Sequence, residues 1–173
     1  RLKGSKEVLI QDLPGVYSLS PYTPEEVITR DYLVRERPDA IINVVDGTNL
    51  ERNLYLTTQL LELGIPVVLA LNMMDLVRKS GDRIDLDRLS RALGCPVVPL
   101  SALRGEGGEQ AAREAVAAAK AQAGMEPPAV FAGSLEHSLA HIEEAVAPAV
   151  PPSALRFTAI KLFERDEKAR AET

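Results

Sequence analysis

The strongest constraint on the fold is an uninterrupted apolar run at residues 65–71, which reads Ile-Pro-Val-Val-Leu-Ala-Leu. A strand with one solvated face alternates polar and apolar residues, so a continuous run indicates a strand that is covered on both faces. Strand-like segments at residues 6–11, 39–46 and 96–100 predict three further strands, with helix-like segments between them. This alternation predicts an α/β fold in which helices cover both faces of a mostly parallel sheet.

Helix boundaries are marked by capping residues. Thr23 offers a capping hydroxyl, Pro24 suits the first helical position, and two glutamates follow, which predicts a helix to about residue 37. A helix capped by Thr48 or Asn49 is expected to end at Gly64, and a short helix that begins at Asp85 is expected to end at Gly94. An Ala-rich segment that begins near residue 107 predicts another helix to about residue 123.

A change of pattern near residue 124 divides the chain. The run Gly-Met-Glu-Pro-Pro at residues 124–128 is typical of a linker, and no strand pattern follows it. Residues 133–147 and 153–173 are predicted to be helical, with prolines between them. We therefore expect an α/β domain at residues 1–124 and a small helical domain, present in part, at residues 125–173.

Composition excludes several classes of protein. The net charge is −5, which argues against a nucleic-acid binder with a basic surface. No apolar run approaches the roughly 20 residues that span a bilayer, and no signal peptide is evident. The single Cys95 cannot form a disulfide framework, which favours a reducing compartment. Because the chain begins with Arg1 and opens almost at once on a strand-like run, we expect it to be a segment of a longer protein.

The segment Asn72-Met73-Met74-Asp75 follows the apolar run directly. Ligands of an open parallel sheet bind beyond the carboxyl ends of its strands. A carboxylate held there can accept two N–H groups from guanine, whereas adenine lacks this pair of donors. The alternative for Asp75 is a helix N-cap. The same Asn-x-x-Asp spacing recurs at residues 43–46, but there the Asn lies inside a predicted strand.

Two other motifs occupy comparable positions. Asp12-Leu13-Pro14-Gly15 follows the first predicted strand, where an Asp can hold Mg²⁺ through water and a Gly lets the backbone approach a phosphate. By itself this motif also fits a strand that ends in a Pro-Gly turn. Ser101-Ala102-Leu103 follows the fourth strand, where a backbone N–H can be offered to the guanine carbonyl oxygen. The order of the three motifs along the chain is the order that a guanine site requires.

These motifs resemble the third, fourth and fifth guanine-nucleotide motifs of small GTPases. Three longer segments make the resemblance specific to one family: LPGVYSLSPYT at residues 13–23, DGTNLERNLY at 46–55 and GCPVVP at 94–99. Together they are similar to the cytoplasmic GTPase domain of the FeoB family of bacterial ferrous iron transporters. The resemblance is dense over residues 8–105. The tail at residues 159–164 is similar to the helical domain that follows in that family and modulates nucleotide release.

The resemblance implies roles for individual residues. Asp12 would lie near Mg²⁺, and Gly15, preceded by Leu13 and Pro14, would face the terminal phosphate of GTP. Asn72 and Asp75 would bind guanine, with Met73 packing over the base where most GTPases have Lys. The base pocket would be completed by Ser101, Ala102 and Leu103. Residues 16–26 would form the second switch, which GTP orders and hydrolysis releases.

The sequence departs from the family pattern in the phosphate site. No Gly-x-x-x-x-Gly-Lys-Ser/Thr segment occurs, and the first switch also has no counterpart. The resemblance implies that the strand which carries the phosphate loop lies centrally, so the predicted sheet is incomplete. Val16 and Tyr17 stand where many small GTPases carry a catalytic Gln, so no catalytic residue is assigned.

The resemblance implies a function at the cytoplasmic face of the bacterial inner membrane. GTP or GDP and Mg²⁺ would be the cofactors, and GTP hydrolysis would gate or drive ferrous iron import. The expected partner is the membrane-embedded permease portion of the same protein, with homo-oligomers possible through that parent protein and no nucleic acid. We expect this segment alone to be poorly active. The alternative is a nucleotide-independent interaction module with a degenerate GTPase fold, or a segment that does not fold stably.

Histidines at positions 137 and 141 are spaced to share one helix face, and such a pair can ligate a metal. The sequence offers no convergent third ligand for them, which favours a surface or packing role. Cys95 precedes a strand and is expected to be a small core residue.

Overall fold

Three parallel strands form the sheet of this protein, in a computed structural model that describes residues 8–19, 23–122, 131 and 133–173. The strands are β1 (Ile41–Asp46), β2 (Val67–Asn72) and β3 (Val97–Pro99), in the spatial order β1-β2-β3. In the β1–β2 register, Ile41 lies opposite Val67 and Asp46 lies opposite Asn72. In the β2–β3 register, Leu69 lies opposite Val97. The predicted α/β fold with a parallel sheet is confirmed.

Helices connect these strands and follow them. Their bounds are α1 Pro24–Arg35, α2 Leu50–Glu62, α3 Met74–Ser80, α4 Leu86–Leu93, α5 Gly108–Gln122, α6 Gly133–Val146, α7 Pro152–Phe163 and α8 Glu167–Glu172. Short 3₁₀ turns follow β1 at Gly47–Asn49 and β3 at Ala102–Arg104. Among the helices that the structure describes, none combines the length and the hydropathy that crossing a bilayer would require.

The central strand β2 is buried on both faces, as its composition predicts. Leu69 and Leu71 pack on one face with Met74, Val77 and Cys95. On the other face, Val68 and Ala70 pack against β3 and the alanines of α5. Burying side chains of this size contributes about 1.5–3 kcal/mol each to the hydrophobic stabilisation of the sheet. Cys95 is a buried core residue, as expected.

Local capping signals place several helix ends where the sequence predicts them. The Thr23 Oγ1 accepts the Glu26 N–H, and a Glu26 carboxylate oxygen accepts the Thr23 N–H, so the two residues form a capping box. Asp85 caps α4 by accepting the Arg88 N–H at 2.9 Å. Gly94 ends α4 with φ 69°, a left-handed conformation that glycine adopts readily.

The predicted strand at residues 6–11 is wrong for the part that the structure describes. Residues 8–11 carry no strand, and Leu9 and Ile10 are exposed at 89% and 67%. A strand persists only if a neighbouring strand satisfies its backbone groups. In the described residues, the sheet ends at β1, and residues 8–11 pair with no strand.

Two features of the helices were not predicted. The helix α3 at residues 74–80 has no counterpart among the predicted helices, because it is short and its N-cap Met73 provides no side-chain cap. The predicted helix at residues 153–173 is divided into α7 and α8. Arg165 adopts a positive φ of 62° between them, and Asp166 caps the second helix at the Ala169 N–H.

The C-terminal helices pack onto the α/β part of the chain. Leu139 of α6 packs against Ala159 and Ile160 of α7. Phe157 on the same helix α7 enters a cluster with Leu33 of α1 and Leu60 of α2. The predicted linker at residues 124–128, and with it the boundary between the two domains, lies outside the described residues.

Candidate functional site

The candidate site lies where β2 and β3 end. Asn72 is the last residue of β2, and Asp75 lies in the first turn of α3. Met73 connects them in a left-handed conformation, with φ 61° and ψ 26°. After β3, Ser101 leads into the 3₁₀ turn Ala102–Arg104. Because parallel strands end at the same edge of a sheet, these two segments face each other.

Two cross-loop hydrogen bonds join the segments. Ser101 Oγ donates to Asp75 Oδ1 at 2.8 Å, and the Ala102 N–H donates to Asn72 Oδ1 at 3.0 Å. Ser101 is 1% exposed, so its hydroxyl is held in place by the surrounding core. Thus the structure brings together the second and third predicted motifs through their own side chains.

Asp75 is not the N-cap of α3, so that alternative reading of the residue is wrong. The hydrogen bond from Ser101 lowers the pKa of the Asp75 carboxyl, and the nearby Arg104 guanidinium acts in the same direction. The group is therefore ionised at neutral pH. Backbone N–H groups of Asp75 and Leu76 also lower the pKa of this carboxyl. A carboxylate has two oxygens and about four lone-pair sites, so these contacts leave it able to accept an N–H group from a ligand.

Asn72 has a structural role as well as its predicted binding role. Its side-chain oxygen accepts the Ala102 N–H, so that oxygen positions the loop after β3. This N–H is also one that the loop could have offered to a ligand. A donor to a guanine carbonyl would therefore come from another group of the turn at residues 102–104, or from the Asn72 amide nitrogen.

Apolar side chains flank the polar groups of the site. Met73 is 39% exposed and Leu103 is 92% exposed. An exposed Met beside a fixed carboxylate provides a polarisable surface on which a flat aromatic ring can pack. The predicted position of Met73 over a base is compatible with this exposure.

The predicted motif at residues 12–15, together with the segment that follows it, contacts the helices and not the loops after β2 and β3. The Pro14 carbonyl accepts the Thr29 Oγ1–H of α1 at 3.2 Å, and the Leu19 N–H donates to Gln59 Oε1 of α2 at 2.7 Å. Leu13 packs against the same core, whereas Asp12 and Gly15 are exposed. A Cβ added at Gly15 would meet no atom within 4 Å, so packing does not explain this glycine.

Asp12 is the carboxylate that this motif offers to a metal ion. In the described part of the chain, no group of three or more His, Cys, Asp or Glu residues is placed to hold a metal. Asp12 therefore supplies one carboxylate, which is too few ligands for an independent site. Mg²⁺ is often held by one or two carboxylates together with water and substrate phosphates, so Asp12 fits only an ion that arrives with a nucleotide.

Sequence reasoning missed the supporting role of Gly47. This residue follows β1 and is buried, and a Cβ added to it would lie 2.9 Å from the Asn72 carbonyl oxygen. Beside it, Asp46 Oδ1 accepts both the N–H and the Oγ1–H of Thr48, at 2.8 and 2.7 Å. A glycine directly after a strand-ending Asp was the available signal of this close approach.

A cleft of about 410 Å³ lies beside α3, lined by residues that include Gly47, Leu76, Ser80 and Ile84. Its lining contains none of Asn72, Asp75 or Ser101. The carboxylate site is therefore an open surface at the strand ends, separate from this cleft.

Comparison with known proteins adds independent information. A family model described as Ferrous iron transport protein B matches residues 1–115. The Fe(2+) transporter FeoB of Salmonella choleraesuis is 43% identical over 169 residues, which cover 95% of this chain and 22% of that protein. A Fe(2+) transport protein A/Fe(2+) transporter FeoB fusion protein of Porphyromonas gingivalis is 57% identical over 105 residues, covering 60% of this chain and 12% of that protein.

Solved structures agree with these sequence matches. The crystal structure of mGMPPNP-bound NFeoB from S. thermophilus has a TM-score of 0.83 at 50% identity, covering 93% of this chain and 60% of that one. The same protein bound to GDP.AlF4- and K+ gives a TM-score of 0.84 at 49% identity, covering 93% and 62%. The chain thus spans less than a quarter of these two relatives, and less than two thirds of the solved chains.

Proposed function

We propose, on the premise that this chain belongs to the Ferrous iron transport protein B family, that the loops after β2 and β3 form a guanine-nucleotide site. The fold is that of a GTPase domain, and neighbours of the same fold have been solved with mGMPPNP and with GDP.AlF4-. The family match supports a role of the longer protein in ferrous iron transport. The residues that contact the nucleotide in this chain are our assignment.

The observation that carries the proposal is the pair of bonds between the two loops. Asp75 and Asn72 are each fixed by one partner from the segment after β3, at 2.8 and 3.0 Å. A preorganised carboxylate loses little conformational entropy when it binds a base, so its contacts contribute fully to affinity.

Base selectivity follows from hydrogen-bond chemistry. Guanine presents a ring N–H and an exocyclic amino group side by side, and both donate to a carboxylate. Adenine presents an unprotonated ring nitrogen beside its amino group, which would place a lone pair against the negative charge of Asp75. The site should therefore bind GDP and reject ADP.

The proposed role in the longer protein is GTP-dependent gating or driving of Fe²⁺ import at the cytoplasmic face of the inner membrane. Bound with the nucleotide, Mg²⁺ would neutralise phosphate charge, and Asp12 would hold it through water. Gly15 would face the terminal phosphate, and residues 16–26 would respond to it as a switch. The membrane-embedded permease portion of the same protein is the proposed partner of this domain.

A second candidate is a nucleotide-independent interaction module. The observation that favours it is the sequence, which contains no Gly-x-x-x-x-Gly-Lys-Ser/Thr segment. A phosphate cradle of that kind supplies backbone N–H groups and a Lys, and therefore much of the affinity for a nucleotide.

Calorimetric titration with GDP and ADP separates the two candidates. We expect GDP to bind, ADP not to bind, and Asp75→Ala to abolish GDP binding while circular dichroism remains unchanged. Asp87→Asn, which removes an exposed carboxylate charge from α4, is the matched control and should bind GDP normally. A well-folded chain that does not bind GDP would support the interaction module.

Asp75→Asn provides a more specific test of the assigned contacts. The asparagine amide donates where the carboxylate accepted, so it suits xanthine, which carries a carbonyl in place of the guanine amino group. We expect this variant to prefer xanthosine diphosphate over GDP. An unchanged preference for GDP would show that position 75 does not contact the base.

A further inference from the structure

Two histidines on α6 remain unexplained by the nucleotide site. His137 and His141 are exposed, and their Nε2 atoms lie 3.2 Å apart. The ring centroids are 4.5 Å apart with an interplanar angle of 76°. Residues four apart occupy the same helix face, so the helix backbone fixes this proximity.

We propose that His137 and His141 form a two-histidine site for a divalent transition-metal ion such as Zn²⁺, coordinated through both Nε2 atoms. Zn²⁺ binds imidazole nitrogens at about 2.0–2.1 Å, so two such ligands lie about 3.0 Å apart at a right angle and about 3.4 Å apart at the tetrahedral angle. The observed separation falls between these values. Small side-chain rotations bring both nitrogens onto one ion.

The surrounding charges favour a cation. The Glu144 Oε2 lies 3.8 Å from His141 Nδ1, on the side of the ring opposite the proposed ion. At 3.8 Å this carboxylate does not hydrogen-bond to Nδ1, but its negative charge favours the tautomer that carries the proton on Nδ1. That tautomer leaves the Nε2 lone pair free for the ion. Glu136 and Glu143 on the same helix are held by Arg156 at 2.7 and 3.1 Å, so they are engaged elsewhere.

Ion binding requires no net proton release from a neutral pair. In the hydrogen-bonded pair, one Nε2 carries the proton and the other accepts it. When the ion binds, the ring whose Nε2 carries the proton changes tautomer, and that proton moves from Nε2 to Nδ1. Both Nε2 lone pairs then face the metal. Water occupies the remaining coordination positions, because no third protein ligand is placed there among the described residues.

The chemistry predicts which ions bind. Imidazole ligands suit Zn²⁺, Ni²⁺ and Cu²⁺, whereas Mg²⁺ prefers oxygen ligands. The expected order of affinity is Cu²⁺ above Ni²⁺ and Zn²⁺, with no binding of Mg²⁺ at this pair. The site therefore differs in kind from an ion that accompanies a nucleotide at Asp12.

The test is calorimetric titration of the full chain with Zn²⁺ alone, at pH 7.5 and without nucleotide. We expect one ion per chain, and affinity at least about tenfold weaker in His137→Gln and in His141→Gln, since even the loss of a second-shell partner costs that much. Glu144→Gln should weaken binding less than either ligand variant does.

The matched control keeps two imidazoles but separates them. His141→Gln combined with Ala145→His places the second histidine eight residues from His137, about 12 Å along the helix at 1.5 Å per residue. These positions are exposed, so the variants should keep the wild-type circular dichroism spectrum. Binding retained by this relocated pair, or equal in all variants, would overturn the site, as would the absence of Zn²⁺ binding. None of these outcomes depends on GDP binding.

Discussion

The hydroxyl of Ser101 lowers the pKa of Asp75 as well as fixing the position of its carboxylate. It donates to Oδ1 at 2.8 Å from a residue that is 1% exposed, and this bond is the largest cause of the lowered Asp75 pKa. Its donor is buried and cannot turn away to water. One side chain therefore orients the carboxylate and favours its ionised form.

Ser101→Ala tests this dependence through pH. Because the folded Asp75 has a pKa below its ordinary value of about 3.9, its contribution to stability and binding is present above that value and is lost as the pH falls toward the folded pKa. Removing the hydroxyl raises the Asp75 pKa, so loss of GDP binding on acidification begins at a higher pH. Carboxyl NMR of Asp75 across a pH titration measures the shift directly. An unchanged titration curve would contradict the assigned cause.

Gly47 is a second residue whose effect is exerted through a neighbour. An added methyl group would lie 2.9 Å from the Asn72 carbonyl oxygen, a backbone atom that cannot move independently of β2. We expect Gly47→Ala to destabilise the fold by about 1–3 kcal/mol, the usual cost of overpacking. It should also weaken GDP binding, because Asn72 holds the following loop.

Urea unfolding measures the stability change. Gly108→Ala is the matched control, since a Cβ at that glycine would meet no atom within 4 Å. Equal unfolding midpoints for the two variants would show that the segment after β1 accommodates the methyl group.

At the level of elements, predictions succeeded where the signal is local. The apolar run predicted β2, and the Thr23 hydroxyl predicted the start of α1. Asp85 and Gly94 predicted the two ends of α4. The strand expected at residues 6–11 failed in its described part, because a strand depends on a neighbour that its own sequence does not contain. The helix α3 was missed because tertiary burial of Met74 and Val77 stabilises it without a side-chain cap.

The contact of α7 with α1 and α2 predicts that the C-terminal helices contribute to the stability of the α/β part. Phe157 is 3% exposed in that contact, and Arg30 of α1 lies 5.4 Å from the centre of its ring. We expect Phe157→Ala to lower the free energy of unfolding by about 3–5 kcal/mol, as for other buried Phe residues.

Phe163→Ala is the matched control for this truncation. Phe163 lies at the end of the same helix but is 49% exposed, so its truncation should cost far less. Denaturant unfolding followed by circular dichroism compares the two variants. If Phe157→Ala lowers the free energy of unfolding as little as Phe163→Ala does, then α7 does not share the core of the α/β part.

For the whole molecule, we expect binding of a guanine nucleotide without efficient hydrolysis of GTP. The loops that we propose to bind the base are joined by hydrogen bonds, whereas the sequence contains no phosphate-loop motif with its Lys and Mg²⁺-binding hydroxyl. Phosphoryl transfer depends on positioning and charge stabilisation of the terminal phosphate, which those groups provide. We therefore expect a chain with this sequence to bind a guanine nucleotide without hydrolysing it efficiently.

We expect this 173-residue chain to hydrolyse GTP poorly or not at all. Phosphate release under saturating GTP and Mg²⁺ measures the rate, with a sample lacking protein as the baseline. Asp75→Ala distinguishes weak turnover at this site from a contaminating enzyme, because only the former depends on the base contact. Turnover at a rate typical of the complete GTPase domains of the family would contradict the prediction.

The sequence by itself determined the three strands of the described sheet, most of the helices and the placement of three polar motifs after strand-like segments, because periodicity and capping are local properties. Only the tertiary structure decided which motifs meet. Ser101 and Ala102 bond to residues 26 and 30 positions away. Such contacts arise from sheet register and packing between distant segments, which local sequence preferences do not encode.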